Sequence, residues 1–291
     1  MHFKSLRILL ALALLIWPVT AQAAGGNDIP PGTVIFVAGE FPETSIMMVD
    51  PGGGSMPSML ADYKNGPNIQ PAVGPEGRLA WVRGNGKKWE LVEGGRVISD
   101  GHLHLSPAFK PDGALVAAVS EASETSLYIF SGNTRTLLIR GDGIAVSPSF
   151  SPDGSRLAFV SDESGEGQIY IAAADGTSAT RLITSQVLST DPAWSPTDEY
   201  IAFVTDETDI CLIRPDGTGL RQLTQNQGRN SKPDFSPDGQ MIVFSSNRDG
   251  GIMKLFVMKL DGSDQRPLLP GFSPPQSQPV WAGVKPTPVA E

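Results

Sequence analysis

The chain has 291 residues, of which 40% are hydrophobic and 18% charged, and it carries a formal net charge of −9 and one cysteine. This composition is too apolar for a disordered protein, and a single cysteine excludes an internal disulfide framework and cysteine-rich zinc sites. The acidic balance argues against a nucleic-acid partner, because binding to phosphates needs a basic surface.

The first segment has the pattern of an export signal. A lysine and an arginine precede an apolar run over residues 8–17, and a small-x-small cleavage sequence ends at Ala23. This is the order of a Sec-type signal peptide, and a run of about ten residues is too short to cross a bilayer about 30 Å thick. We predict a signal peptide over residues 1–23, a short linker over 24–32, export to a bacterial periplasm, and no membrane span.

The rest of the chain repeats one motif. Residues 148–160 read Pro-Ser-Phe-Ser-Pro-Asp-Gly-Ser-Arg-Leu-Ala-Phe-Val, and residues 233–245 read Pro-Asp-Phe-Ser-Pro-Asp-Gly-Gln-Met-Ile-Val-Phe-Ser. Counting the weaker copies, the motif is anchored at Pro71, Pro107, Pro148, Pro192, Pro233 and Pro279. The spacings of 36, 41, 44, 41 and 46 residues predict propeller blades of about four short strands each.

The copy that begins at Pro148 shows how one blade is built. The proline starts inner strand A, since proline is admitted to a sheet only at an edge. A Ser-Pro-Asp-Gly turn leads to strand B at Leu157–Val160, and a polar loop leads to strand C at Gln168–Ala172. An Asp-Gly turn then leads to outer strand D at Thr180–Thr184.

The two ends of the chain complete one blade. The segment before the first full repeat lacks a strand A and contains predicted strands at Val34–Val37, Ile46–Val49 and Ser58–Ala61. The unpartnered segment Gln278–Ala282 supplies the missing strand. We therefore predict an all-β, six-bladed β-propeller over residues 33–283, closed by N- and C-terminal strands that share one blade, followed by a disordered tail at 284–291.

The two best copies closely resemble the repeats of TolB-like propellers, also called WD-like repeats, and the resemblance covers roughly residues 33–282. It implies a periplasmic protein of the Tol–Pal envelope system, whose propeller binds the lipoprotein Pal. Only residues 24–32 separate the predicted cleavage site from the first strand, so we expect the α/β domain that precedes the TolB propeller to be absent. Prolyl peptidases and oligogalacturonate lyases contain similar propellers, so the resemblance leaves the activity open.

Motifs that carry catalysis are missing, and two histidines are the remaining candidates. The sequence has no Gly-x-Ser-x-Gly elbow, His-Glu-x-x-His or phosphate-binding loop. His102 and His104 share a face if both lie in an extended strand, and with Asp100 or Asp191 they would approach a metal site. Two histidines do not complete such a site. We expect no cofactor and no metal, with these histidines as the alternative candidates.

The loops between strands B and C are strongly acidic in three consecutive blades. Strand directions place all B–C and D–A loops on one face of the disc. The acidic residues are Glu121, Glu124, Asp162, Glu163, Glu166, Asp206, Glu207 and Asp209. Two interpretations stay open: a solvated rim that keeps the protein soluble, or a docking surface for a basic protein segment or a cation.

A second set consists of the residue before each anchor proline. Its members are all polar, and blade symmetry predicts that they ring the mouth of the central channel on the same face. They are Gln70, Ser106, Ser147, Asp191, Lys232 and Gln278. Asp191 and Lys232 come from adjacent blades and are placed to pair. Such a ring suits a peptide terminus or a sugar, or holds only water.

Together these features predict a monomeric, exported, non-catalytic propeller that acts as a protein–protein interaction scaffold in the cell envelope through the loops of one face. The alternative is a propeller enzyme, a polysaccharide lyase or hydrolase, with a site at the channel mouth. The two differ in one respect: an enzyme needs both imidazoles and a carboxylate to converge near the axis.

Overall fold

The computed structural model describes residues 29–52, 55–99, 101–183, 188–206 and 208–283. The predicted signal peptide and the predicted tail lie outside the described residues, as do Asp100 and Glu207. The described helical segments are 3-10 turns at Tyr63–Asn65 and Pro75–Gly77, and neither has the length of a membrane span.

The described residues form short β-strands. The first eight are β1 (Val34–Ala38), β2 (Ser45–Val49), β3 (Ser58–Ala61), β4 (Asn68–Val73), β5 (Leu79–Gly84), β6 (Trp89–Glu93), β7 (Arg96–Val97) and β8 (Leu103–Phe109). The next eight are β9 (Leu115–Glu121), β10 (Glu124–Ser131), β11 (Thr134–Ile139), β12 (Ala145–Phe150), β13 (Arg156–Ser161), β14 (Gln168–Ala173), β15 (Thr180–Arg181) and β16 (Ser189–Trp194). The last eight are β17 (Ile201–Thr205), β18 (Asp209–Ile213), β19 (Arg221–Gln222), β20 (Asn230–Phe235), β21 (Met241–Ser246), β22 (Lys254–Lys259), β23 (Arg266–Pro267) and β24 (Gln276–Trp281).

These strands form six four-stranded antiparallel sheets, the blades. Blade 1 has the order β24-β1-β2-β3, and blades 2 to 6 follow in chain order from β4 to β23. Each inner strand contacts the inner strands of both neighbouring blades, so the sheets close into a ring. The predicted six-bladed propeller is confirmed.

The two ends of the chain close the ring as predicted. Strand β24 pairs antiparallel with β1, and Val34 lies opposite Trp281. The pairing continues beyond the strands, because the Gly32 N–H donates to the Ala282 carbonyl and the Ala282 N–H donates to the Thr33 carbonyl, each at 2.8 Å. Inner strand β24 is therefore paired with β1, and the two chain ends complete blade 1.

The core of the described propeller consists of apolar clusters between neighbouring blades. Each of the six clusters takes its buried side chains from two adjacent sheets. Phe203 of blade 5, for example, packs with Ile169 of blade 4, and both are fully buried. The middle strands carry consecutive apolar residues, as in Val-Ile-Phe-Val-Ala of β1. Successive side chains of a strand point to opposite faces, so each blade has two apolar faces, and both are covered only when blades stack side by side.

The outer strand of blade 4 is shorter than predicted, whereas that of blade 1 has the predicted bounds. We expected Thr180–Thr184 in blade 4, but β15 ends at Arg181, and β19 and β23 also have two residues. An outer strand is paired on one side only, and a short outer edge limits pairing with other chains.

Two faces follow from this architecture. The upper face carries the D–A loops between blades and the B–C loops within them. The lower face carries the A–B and C–D turns. The channel runs between the faces along the inner strands.

Candidate functional site

The residue before each anchor proline has an unusual backbone conformation. Gln70, Ser106, Ser147, Asp191, Lys232 and Gln278 all have φ between 48° and 53°. At each of them the register between the inner strand and its partner shifts, which marks a β-bulge. Non-glycine residues seldom adopt positive φ, so the sixfold recurrence shows that the bulge is part of the blade design.

These bulges surround the central channel. The six residues, their prolines and the residues that follow line one cavity of about 250 Å³. All six are half-buried. Each bulge turns a polar side chain and a backbone N–H out of the sheet ladder, so polar groups line the cavity together with the prolines and the mostly apolar residues that follow them.

Side chains of this ring link neighbouring blades. The Gln70 N–H donates to Oε1 of Gln278 at 2.7 Å, and the Ser106 N–H donates to Oε1 of Gln70 at 2.9 Å. The Lys232 N–H likewise donates to Oδ2 of Asp191 at 3.2 Å. In each case the side chain of one blade accepts a hydrogen bond from the backbone of the next blade.

The ring contains one ion pair. Lys232 Nζ lies 2.6 Å from Asp191 Oδ1, which is the pairing that their adjacent blades suggest. Since Asp191 also accepts the Lys232 N–H, this carboxylate is held by both the side chain and the backbone of one residue.

A third charged residue lies one step deeper in the channel. Asp234 Oδ2 accepts the Trp281 N–H at 2.6 Å. The side chain borders the cavity, but its carboxyl is shielded from bulk water, and this burial raises its pKa to about 7. The equivalent residues of the other blades are small or apolar: Ala72, Ala108, Ser149, Ala193 and Val280. Ser149 Oγ accepts the Trp194 N–H at 2.8 Å, so a neutral hydroxyl fills the same role.

Some of the acidic loop residues are exposed to solvent, and others accept hydrogen bonds from neighbouring parts of the protein. Glu124, Glu163, Glu166 and Asp206 are exposed on the upper face, and Glu207 lies outside the described residues. Asp162 and Asp209 are half-buried, and each binds a residue of a neighbouring D–A loop. Asp162 Oδ1 accepts the Ile144 N–H at 2.7 Å, and Asp209 Oδ1 accepts the Thr224 hydroxyl at 3.1 Å.

Glu121 contacts three polar side chains. Its Oε1 accepts from Arg135 Nη2 at 2.6 Å, and its Oε2 accepts from the Tyr128 hydroxyl at 3.1 Å. The hydrogen bond from Arg135 lowers the pKa of Glu121. His102 Nε2 lies 3.1 Å from the same Oε1. The acidic sector that faces solvent is therefore smaller than the sequence suggests.

The structure does not bring the two histidines together. Strand β8 begins at Leu103, so His102 lies in the loop before it and strand alternation does not extend to this residue. His104 is fully buried and packs against Phe130 with ring centroids 5.6 Å apart. Among the described side chains, no group of three histidine, cysteine or acidic residues is arranged to hold a metal ion.

An apolar sector of the upper face was not predicted. Phe41, in the B–C loop of blade 1, is 58% exposed, and its ring centroid lies 6.1 Å from that of Trp89 in blade 2. Ile252, in the B–C loop of blade 6, is 51% exposed. These residues lie in blades 6, 1 and 2, opposite the acidic loops of blades 3 to 5. Exposed charged residues of the B–C loops of blades 1 and 2 flank them: Glu40, Glu43, Lys87 and Lys88. Large apolar residues inside predicted loops were the sequence signal for this sector.

Comparison with known proteins identifies the family. A family model described as the TolB beta propeller domain matches residues 32–285. The chain belongs to the TolB beta-propeller family. A 48-residue segment is 40% identical to the Tol-Pal system protein TolB of Bordetella pertussis, covering 16% of this chain and 11% of that protein. A 58-residue segment is 41% identical to the Protein TolB homolog of Chlorobium luteolum, covering 20% of this chain and 13% of that protein.

A solved structure shows the same architecture at a greater sequence distance. TolB from Acinetobacter baumannii superimposes with a TM-score of 0.72 and 23% identity, over 87% of this chain and 67% of that one. Identity at this level shows a shared fold. The segments matched in the two curated TolB proteins span only 11% and 13% of their lengths. The TolB beta-propeller fold of this chain is thus established by the family match and by its own six blades.

Proposed function

We propose that this TolB-family propeller is an exported envelope protein that acts as a monomer and binds a protein partner through its upper face, without catalysis. The observation that carries the proposal is that this face presents exposed carboxylates on the loops of blades 3 to 5 and, across a polar channel mouth, the exposed apolar side chains of Phe41 and Ile252 on the loops of blades 1 and 6. Membership of the TolB family and the similarity to Tol-Pal system proteins support an envelope partner.

The two sectors specify the chemistry of that partner. The exposed carboxylates of Glu124, Glu163, Glu166 and Asp206 attract a basic surface and speed its encounter. Phe41 and Ile252 offer apolar area, and exposed aromatic residues are typical anchors of protein interfaces. The complementary partner therefore presents basic residues on one side and an apolar patch on the other.

The enzyme alternative receives no support from the histidines. His104 is buried beside Phe130, and His102 lies in a loop beside Glu121. Neither imidazole lines the channel cavity. The convergence that a site at the channel mouth would require is not formed by these residues.

Site-specific photocrosslinking tests the docking face. A photoreactive amino acid at Glu163, on the upper face, is compared in living cells with the same substitution at Glu199, which is exposed in an A–B turn of the lower face. We expect a discrete crosslinked protein only from position 163. Equal crosslinking from both positions, or crosslinks from position 199 alone, would refute upper-face docking.

Charge reversal tests the electrostatic contribution with the captured partner. Glu163→Lys should slow association and weaken its dependence on salt, because it removes a carboxylate from the acidic sector. Glu199→Lys is the matched control and should leave the rate unchanged. An association rate that is the same at low and high salt would contradict steering by the acidic loops.

Export is tested separately by cell fractionation and N-terminal sequencing. The expected mature protein is periplasmic and begins at Ala24, directly after the predicted cleavage sequence. Recovery of the uncleaved chain in the cytoplasm would refute the proposed location.

A further inference from the structure

The ring at the channel mouth is incomplete in two adjacent blades. In blades 2, 3 and 6 the N–H of the ring residue donates to the ring side chain of the preceding blade. In blade 1 the Gln278 N–H donates to Ser245 Oγ of the preceding blade, at 3.0 Å. The N–H groups of Ser147 and Asp191, in blades 4 and 5, donate no such hydrogen bond to any side chain in the described ranges.

The length of the side chains explains this gap. The N–H of Ser147 faces the ring residue of blade 3, Ser106, and the N–H of Asp191 faces Ser147. Where the preceding residue is Gln278, Gln70 or Asp191, an oxygen reaches the next N–H within 3.2 Å. A serine hydroxyl is shorter and does not reach. The φ of 53° at both Ser147 and Asp191 turns their N–H groups the same way as in the completed blades.

We propose that the N–H groups of Ser147 and Asp191 each form a subsite that binds the side-chain amide of an asparagine or glutamine from the protein partner. In each subsite the partner's amide oxygen would take the place that Oε1 of Gln70 or Oε1 of Gln278 occupies elsewhere in the ring. The amide NH₂ would donate to the Ser106 hydroxyl in the first subsite and to the Ser147 hydroxyl in the second. This inference rests on the proposed function, since it names the group that the docked partner inserts.

Charge at the mouth favours an amide over a carboxylate. A carboxylate would also accept from two N–H groups. However, the charged residues that line the cavity are Asp191, Asp234 and Lys232, and Lys232 is already paired with Asp191 at 2.6 Å. The exposed acidic loops of blades 3 to 5 lie on the same face. A neutral amide at each N–H avoids this repulsion and still supplies the side-chain acceptor that the other blades provide from within.

Nuclear magnetic resonance can observe the two donors directly. The protein is labelled with ¹⁵N at serine and aspartate and titrated with N-acetylglutamine amide, N-acetylglutamate and N-acetyllysine amide. We expect saturable shifts of the Ser147 and Asp191 amide resonances with the glutamine probe at millimolar concentration, as for a single small group. The Ser263 amide, which donates to Asp261 Oδ1 at 2.9 Å in a C–D turn of the lower face, is the internal control and should not move.

Variants that fill the gap from within provide the decisive comparison. Ser147→Gln places an acceptor against the Asp191 N–H, as Gln70 does for Ser106. It should weaken the binding of the glutamine probe that the Asp191 resonance reports at least tenfold. Ser147→Ala leaves the gap open and should keep a saturable response, weaker by the loss of the hydroxyl that accepts from the amide NH₂. Ser106→Gln fills the other half of the gap, for the Ser147 N–H, and serves if the first variant does not fold.

The outcomes separate this inference from the proposed function. An absence of saturable shifts means that the two N–H groups bind only water, and it overturns the amide subsite. Larger shifts with the glutamate or lysine probe, or an unchanged response in Ser147→Gln, also overturn it. If position 163 still crosslinks a partner, only the subsite fails. If the amide probe binds but no partner is crosslinked, upper-face docking fails instead.

Discussion

Asp234→Asn is expected to make the propeller more stable, and increasingly so as the pH rises. Asp234 accepts the N–H of Trp281, a residue of closing strand β24, while its carboxyl is shielded from bulk water. The asparagine side chain keeps an oxygen for the Trp281 N–H and removes the cost of burying a negative charge. Ser149 shows that a neutral side chain can serve at this position, because it accepts the Trp194 N–H in the same way.

The pKa of Asp234 sets the size of the effect. Burial raises the pKa from 3.8 to about 7, a difference of about three units. At 1.36 kcal/mol per unit, the difference is worth at most about 4 kcal/mol. Because the folded-state pKa is the higher one, the favourable contribution of the protonated carboxyl is complete below pH 3.8. It is lost as the pH rises, at up to about 1.4 kcal/mol per pH unit, until the folded-state pKa is passed.

Urea unfolding of the parent protein and the variant across this pH range measures the effect. The free-energy difference between them should grow as the pH rises from 4 and level off above about 7. Asp234→Ser is a second variant and should show the same trend. A difference that is constant with pH, or a variant that is less stable at pH 8, would refute the reasoning.

Three further predictions concern other contacts of the fold. Asp153→Ala removes the acceptor of the Ser151 hydroxyl, whose hydrogen bond holds the pKa of Asp153 down at about 2. Since Asp153 is exposed, the loss at pH 7 should be about 1 kcal/mol, present above pH 3.8 and vanishing as the pH falls through 2, by urea unfolding. Trp281→Ala should cost about 3 kcal/mol by thermal unfolding, because it empties part of the seam between the chain ends. Arg156→Lys should cost about 1 kcal/mol, because lysine keeps a nitrogen for the Asp198 carboxylate but loses the guanidinium that stacks 4.8 Å from the centre of the Trp194 ring, and double-mutant cycles with Trp194→Ala measure that coupling.

For the ring at the channel mouth, the sequence predicted the positions of the polar residues but not their contacts. The position before each proline was visible as a column of polar residues, because the repeat aligns them. Their shared φ, the bulges and the blade-to-blade hydrogen bonds were not visible, because they depend on where a side chain of one blade ends relative to the backbone of the next. Ser106 and Gln70 occupy equal places in the motif, and only their reach distinguishes them.

For the candidate site residues in the loops, the structure changed what the sequence had predicted. His102 and His104 were expected to share a face, but the alternation of β8 starts one residue after His102. Glu121 was predicted to be a free surface acid, but it accepts a hydrogen bond from Arg135 of β11, two strands away in blade 3. The exact start of a strand and the pairing of side chains across it depend on the whole sheet rather than on local propensity.

The repeat period and the turn chemistry by themselves determined the six blades and the closure of blade 1 by both chain ends. These properties are encoded locally, since a proline at an inner edge, an Asp-Gly turn and an alternating strand each occupy a few consecutive residues. Only the tertiary structure decided which acidic side chains stay free and which ring N–H groups lack a side-chain acceptor. Both depend on distances between blades about 40 residues apart in the chain, where an ångström of side-chain reach decides whether a hydrogen bond forms.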